Sequence, residues 1–272
     1  MTSIQINLGQ NKLHAIKMGN GPRLAVAFHG YSNSASMFQP LVQYLEKDFT
    51  LISIDLPGHG QTTWKEGTAV QPKELADAIA ELAREHQREK VSLLGYSLGG
   101  RVCLSIIAEK PSLVDVAALV APDGLVFNPL YFWATRTVSG RIFFKDLLTK
   151  PDRYIRVLGR LRGRNWLNES RYQFAVQYLQ SEGARRLLHQ AWPPLRLLTP
   201  STSKVKGAIR QHHIPVHLFM GVRDKVIPLH YAETFAKGAP DVHLYRLRKG
   251  HRVMDSDTIP QMVQCLKEVT PS

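Results

Sequence analysis

Three residues far apart in the chain could together make a hydroxyl group nucleophilic: Ser97, Asp224 and His251. A serine hydroxyl attacks poorly at neutral pH. It needs a base to take its proton, and the base needs an acid to orient it. Ser97 lies in Gly95-Tyr96-Ser97-Leu98-Gly99-Gly100, a G-x-S-x-G-G run. Such a five-letter pattern arises by chance roughly one time in ten in a chain of this length, so its context must carry the argument. Residues 91–94 are an apolar run, and residues 101–110 hold Val102, Ile106 and Ile107 at helical spacing. Strand, tight glycine turn and helix is the order that exposes a nucleophile at the carboxyl end of a sheet. Side chains at positions 95 and 99 are expected to collide with the neighbouring strand and helix. The Leu98 N–H would then start a helix, where a developing oxyanion can be held. The bland alternative is a tight turn with an inert serine.

The partners must come from other strand ends. Residues 242–247 read as a strand leading to Lys249-Gly250-His251, and residues 215–220 as a strand leading to Gly221-Val222-Arg223-Asp224. His251 is therefore expected as the base and Asp224 as the acid, at the edge of the sheet that carries Ser97. Asp123 is the alternative acid, because it follows the strand at 116–120. The chain has 11 histidines, so a histidine near a strand end means little alone. His59 sits in a glycine-rich turn and is expected to be structural. His212 and His213 precede a strand, at its wrong end. His29 is expected to hold the loop after the strand at 24–28 by hydrogen bonds. That loop should supply a second oxyanion donor, the Tyr31 N–H, beside the Leu98 N–H. Tyr96 and Tyr31 either wall the pocket mouth or are plain packing aromatics.

The elements needed to position these residues recur along the chain. Residues 3–8 and 12–17 read as a hairpin, and 24–28 and 51–54 as strands. Residues 36–47, 72–89, 229–237 and 257–268 read as helices, the second with Pro72 at its start. Strands alternating with helices imply an α/β fold, a mostly parallel eight-stranded sheet covered by helices. Residues 125–213 break the rhythm with basic amphipathic helical pieces and no clear strand. They are read as a helical cap inserted into a core of residues 1–124 and 214–272.

With these motifs in place the chain is identified as resembling the α/β-hydrolase superfamily. The residues that carry the resemblance are His29-Gly30-Tyr31, Asp55-Leu56-Pro57-Gly58-His59-Gly60, the GYSLGG run, Gly221-Val222-Arg223-Asp224 with Pro228, and Gly250-His251. They cover residues 24–251 in the family's order. The resemblance implies a Ser97, Asp224, His251 triad and an oxyanion pair from Tyr31 and Leu98. A serine at 97 argues against the haloalkane dehalogenases and epoxide hydrolases of this fold, which carry aspartate there. Gly95 to Arg101, GYSLGGR, also resembles the menaquinone-pathway lyase built on the fold. The expected activity is a serine hydrolase cleaving a carboxylic ester or thioester. The alternatives are a lyase using the triad on an anionic substrate, and a non-catalytic binding protein.

Charge is the second signal. The net charge is +13 overall, yet residues 125–213 hold 16 Lys and Arg against 4 Asp and Glu. Arg153, Arg156, Arg160, Arg162 and Arg164 alternate with Tyr154, Ile155, Val157, Leu158 and Leu161; Arg185, Arg186 and Trp192 follow. This is either a solvated basic face, a surface for anionic lipid, or recognition of an anionic or carrier-bound acyl substrate. Nucleic acid is not expected, since no reading motif accompanies the charge. No cofactor and no metal are implied. The two cysteines, Cys103 and Cys265, are too few for a disulfide framework and read as buried thiols. No membrane span and no export signal are visible, so a cytoplasmic protein is expected, with membrane association as a variant.

Overall fold

The computed structural model describes residues 1–164, 166 and 169–268. The chain divides into two compact units, one of Met1–Lys65, Val70–Phe127 and Leu197–Ser272, the other of Glu66–Ala69 and Asn128–Arg196.

The larger unit begins with β1 (Thr2–Leu8), β2 (Asn11–Met18) and β3 (Arg23–Phe28). A 3₁₀ segment Ala35–Leu41 and the short α1 (Val42–Leu45) follow. One helix over 36–47 was expected here. Pro40 lies inside the segment, and its missing N–H and ring disfavour a continuous α-helix. Then come β4 (Phe49–Ile54), α2 (Pro72–Glu85), β5 (Val91–Tyr96), α3 (Leu98–Glu109) and β6 (Val114–Val120). The helical unit intervenes with α4 (Pro129–Arg136), α5 (Val138–Thr149), α6 (Pro151–Gly163), α7 (Glu169–Gln180) and α8 (Glu182–Leu195). The chain closes through α9 (Thr202–His212), β7 (Val216–Gly221), α10 (Leu229–Ala236), β8 (Val242–Leu247) and α11 (Thr258–Lys267).

The eight strands form one sheet in the order β1-β2-β4-β3-β5-β6-β7-β8. β2 is antiparallel to both neighbours, and every other pairing is parallel. The chain places β4 on one side of β3 and β5 on the other. The direction of winding reverses there, and this is where an open parallel sheet leaves a crevice at its carboxyl edge. All six residues of β4, β5 and β7 are buried, as expected for strands covered on both faces. The α2 helix buries Leu75, Ala76, Ile79, Leu82 and Ala83 along one stripe. Burying a leucine or isoleucine side chain contributes about 1.5–3 kcal/mol, so such a stripe outweighs the weak propensity terms. The α3 helix is buried from Leu98 to Ala108.

The unit boundary falls inside the stretch expected to be a cap. Residues 125–127 and 197–213 belong with the sheet, not with α4–α8. The physical reason is α9, which packs on α3. Thr202 Oγ1 also donates to the Leu125 carbonyl at 3.2 Å, and Lys204 pairs with Glu109 at 2.6 Å.

The helical unit has its own small core of Ala134, Phe144 and Leu148, with Leu188 and Trp192 packed against it. Phe144 stacks on Trp192 with ring centroids 5.2 Å apart. Asn128 Oδ1 accepts from the Tyr131 N–H at 2.9 Å and Thr137 Oγ1 from the Gly140 N–H at 3.0 Å, capping α4 and α5. Each such cap is worth about 1 kcal/mol. The α6 helix buries no residue, and Arg153, Arg156, Arg160, Arg162 and Arg164 are all exposed. Among the described residues no helix is long and apolar enough to cross a membrane.

Candidate active site

Ser97 joins β5 to α3 with φ 49° and ψ −111°, a conformation that non-glycine residues avoid. Such a backbone costs about 1–3 kcal/mol and persists only when neighbours hold it. Here the Ser97 N–H donates to the Val120 carbonyl, and the Ser97 carbonyl accepts from the N–H groups of Gly100 and Asp123, each at 2.9 Å. A side chain at Gly99 would overlap the Phe28 carbonyl at the end of β3, and one at Gly95 would press on Gly99, Gly100 and Cys103 of α3. The crowding expected from the glycine spacing is therefore present on both sides of the turn. Leu98 is the first residue of α3, so its N–H is among those that a helix leaves without an internal partner.

Asp224 and His251 arrive on paired backbones. The Val222 N–H donates to the Leu247 carbonyl at 2.8 Å and the Arg223 N–H to the Lys249 carbonyl at 3.0 Å. The Asp224 carboxylate is buried, and its Oδ1 accepts from the Val226 and Ile227 N–H groups at 2.7 and 2.9 Å. Its Oδ2 lies 2.7 Å from His251 Nδ1, and His251 Nε2 lies 3.0 Å from Ser97 Oγ. An ionised carboxylate only accepts, so the Nδ1 proton lies between His251 and Asp224, and the Nε2 lone pair faces the hydroxyl. Asp123, the alternative acid, is engaged elsewhere: Arg101 of α3 donates to its Oδ2. Its Oδ1 accepts from the Gly124 N–H at 2.7 Å.

The loop after β3 sits against this turn, since a side chain at Gly30 would overlap the Tyr96 ring. His29, fully buried, ties the loop down. Its Nε2 accepts from the Leu56 N–H at 3.0 Å, and its Nδ1 donates to the Gly30 carbonyl at 2.7 Å. Burial, with the nearby His59 second, pulls the His29 pKa down to about 4, so the ring is neutral and the donor and acceptor roles are fixed. His59 donates from Nδ1 to the Pro57 carbonyl at 3.0 Å and accepts the Ser32 N–H at 3.2 Å. Burial also lowers its pKa. Tyr31 lies edge-on to His59 at 5.9 Å between centroids.

Some site contacts had no signal in the sequence. The Tyr96 hydroxyl donates to the His251 carbonyl at 3.3 Å, which gives this aromatic a part in holding His251. Lys249 Nζ reaches Asp255 Oδ1, and Thr258 Oγ1 at 3.0 Å, steadying the segment that carries His251. The Val226 and Ile227 amides were equally invisible, because backbone donors leave no mark in side-chain composition. His212 and His213 lie at the end of α9, outside this arrangement.

A glycine-crowded serine turn at the sheet's switch point, with a histidine and an aspartate from later strand ends, defines a class. The chain belongs to the alpha/beta hydrolase fold family, whose profile matches residues 26–253. It is 32% identical over 146 residues to the 2-(acetamidomethylene)succinate hydrolase of Mesorhizobium japonicum, a match covering 53% of this chain and 52% of that protein. The chain thus matches about half the length of that relative. It is 28% identical over 244 residues to the pimeloyl-[acyl-carrier protein] methyl ester esterase of Stenotrophomonas maltophilia, covering 88% of each. Among solved structures, the esterase RhEst1 from Rhodococcus superposes with a TM-score of 0.67 at 18% identity, over 99% of this chain and 100% of that one. That last likeness speaks for the fold alone. Together they put the chain among hydrolases of this fold.

Proposed function

We propose that the protein is a serine hydrolase that cleaves a carboxylic ester or thioester through an acyl-enzyme on Ser97. In this reading Ser97 Oγ bonds to the carbonyl carbon while its proton passes to His251 Nε2. Asp224 keeps the ring oriented and stabilises the imidazolium. The carbonyl oxygen becomes an oxyanion, received by the Leu98 and Tyr31 N–H groups. The bond to the leaving group breaks, and His251 returns the proton to it. A water then gives a proton to His251 and attacks the acyl carbon, which frees the acid and restores the hydroxyl. The observation that carries the reading is the unbroken hydrogen-bonded chain, 3.0 and 2.7 Å, that ends on a hydroxyl beside a helix start.

Fluorophosphonate labelling followed by peptide mass mapping tests it. The adduct is expected on Ser97 in the wild type, and Ser97→Ala is expected to lower kcat on activated esters by about 10⁶-fold. Turnover without any covalent species on Ser97 would favour the lyase alternative. Turnover unchanged by the substitution would remove the triad altogether.

The substrate we infer is anionic, either a small molecule or a carrier-bound acyl group. One relative is named for a succinate and another for an acyl-carrier protein ester. The basic helical segment would draw anions by long-range attraction. A negatively charged ester should then lose kcat/KM with added salt, while a neutral ester of equal acyl length should not. A second use of the same segment is favoured by Leu130, Val138 and Ile142, which are 68%, 66% and 66% exposed. Apolar anchors among arginines suit peripheral contact with anionic lipid. Sedimentation with anionic and neutral vesicles tests this, and equal binding to both would dismiss the electrostatic component.

A further inference from the structure

A second serine–histidine–aspartate chain lies on the sheet, apart from Ser97. Ser3 is on β1, His14 on β2, and Asp55 directly follows β4. These are three adjacent strands. In the β1–β2 register Ser3 faces Ile16 and Gln5 faces His14, so Ser3 and His14 are diagonal neighbours on one face. In the β2–β4 register Ala15 faces Ile54, which carries Asp55 alongside His14; the Asp55 N–H donates to the His14 carbonyl at 2.9 Å. The side chains meet accordingly. Ser3 Oγ is 2.9 Å from His14 Nε2, and His14 Nδ1 is 2.7 Å from Asp55 Oδ2.

The surrounding hydrogen bonds set the donor and acceptor roles. Asp55 accepts from the Ala35 N–H on Oδ1 at 2.6 Å and from the Gln61 N–H on Oδ2 at 2.9 Å. A carboxylate held this way is acceptor-only, so it fixes the His14 proton on Nδ1 and leaves the Nε2 lone pair to the Ser3 hydroxyl. His14 and Asp55 are each 2% exposed, whereas Ser3 faces solvent. A buried, oriented base therefore addresses a hydroxyl that a reagent can reach. Ser3 lacks the strained turn and helix start that accompany Ser97, since it sits within a regular strand. Without a preorganised oxyanion site only donors with good leaving groups can react, and the product should persist.

We propose that Ser3 is an accessory nucleophile, an acyl-accepting modification site for activated esters, served by His14 as general base and Asp55 as its orienting acid. The Ser3 oxygen bonds to the acyl carbon and its proton passes to His14 Nε2. The bond to the aryloxide breaks, the aryloxide departs as an anion, and His14 gives its proton to water. The product is an ester on Ser3, formed independently of Ser97.

The test uses the full chain carrying Ser97→Ala, incubated with p-nitrophenyl acetate and analysed by peptide mass mapping over time. The expected result is an acetyl group on Ser3, absent when Ser3→Ala is added. Its rate should exceed that at exposed Ser139 and fall at least about tenfold with His14→Gln, since a positioned base contributes roughly 10²–10⁴-fold. Thermal melting checks that the His14→Gln protein is folded. Should it not fold, the Ser3 rate relative to Ser139 in the His14-containing protein decides. No adduct on Ser3, a rate equal to that of Ser139, or a rate indifferent to His14→Gln in the folded protein would each overturn the proposal.

Discussion

Two regions of this molecule present the same three side chains at nearly the same spacings. Around Ser97 the histidine contacts are 3.0 and 2.7 Å; around Ser3 they are 2.9 and 2.7 Å. The difference lies in the backbone beneath them. Ser97 is strained, crowded by glycine positions and followed at once by a helix. Ser3 sits in an edge strand with a partner on one side only. A hydrogen-bonded triad is a device for moving a proton. Catalytic power depends on what receives the negative charge of the transition state, and of the two serines only Ser97 is followed directly by a helix start.

Neutralising the aspartate of each region should have the largest effect. Asp224→Asn should lower kcat about 10⁴-fold, because the wrong tautomer of His251 is then favoured. A comparable loss from Asp123→Asn would reassign the acid. Asp55→Asn should read out in stability, with a loss of about 1–3 kcal/mol in denaturant unfolding, because the Ala35 and Gln61 amides lose a charged acceptor. The next test addresses the backbone. Gly99→Ala forces a methyl group onto the Phe28 carbonyl and should cost about 1–3 kcal/mol. An unchanged melting temperature would mean that the turn yields to the added methyl group.

A third test sharpens the contrast through pH. His29, which ties the loop beside Ser97, and His217 of β7 are both held neutral by burial, with pKa values near 4 against an ordinary 6.5. The unfolded chain takes up these protons first as pH falls. Their contribution to stability is therefore complete above about pH 6.5 and is lost progressively toward pH 4. The melting temperature should decline over that window, and His29→Gln should flatten part of the decline. A profile as steep as that of the wild type would exclude His29 as a source. The smallest effect expected is from Tyr96→Phe. It deletes the hydrogen bond to the His251 carbonyl, worth about 0.5–1.5 kcal/mol, and kcat should drop by no more than about tenfold.

Much of the first region is legible along the chain. Its glycines, its strand ends and the order of serine, aspartate and histidine are local features that a linear reading can register. The strands emerge for the same reason: continuous apolar runs such as residues 24–28 reflect burial on both faces. What was illegible depends on long-range or backbone partners. Pro40 divides a helix whose apolar pattern suggests continuity. The α9 helix shares the basic, strandless character of α4–α8, yet it is claimed by α3. The Ser3 chain depends on two antiparallel registers, with His14 and Asp55 41 positions apart in the chain. No local pattern in Thr2–Leu8 announces them, so it could be found only after the strands were paired.

Asp55 serves the fold as well as the histidine beside it. One of its oxygens holds the Ala35 amide of the 3₁₀ segment, and the other holds the Gln61 amide beyond the following turn. The architecture thus employs this carboxylate whether or not a histidine stands beside it. A chain that already keeps such an acid is two point changes, a histidine on one strand and a serine on the next, from a proton relay. New reactivity on an old scaffold can begin from an anchoring group, long before any pocket exists to exploit it.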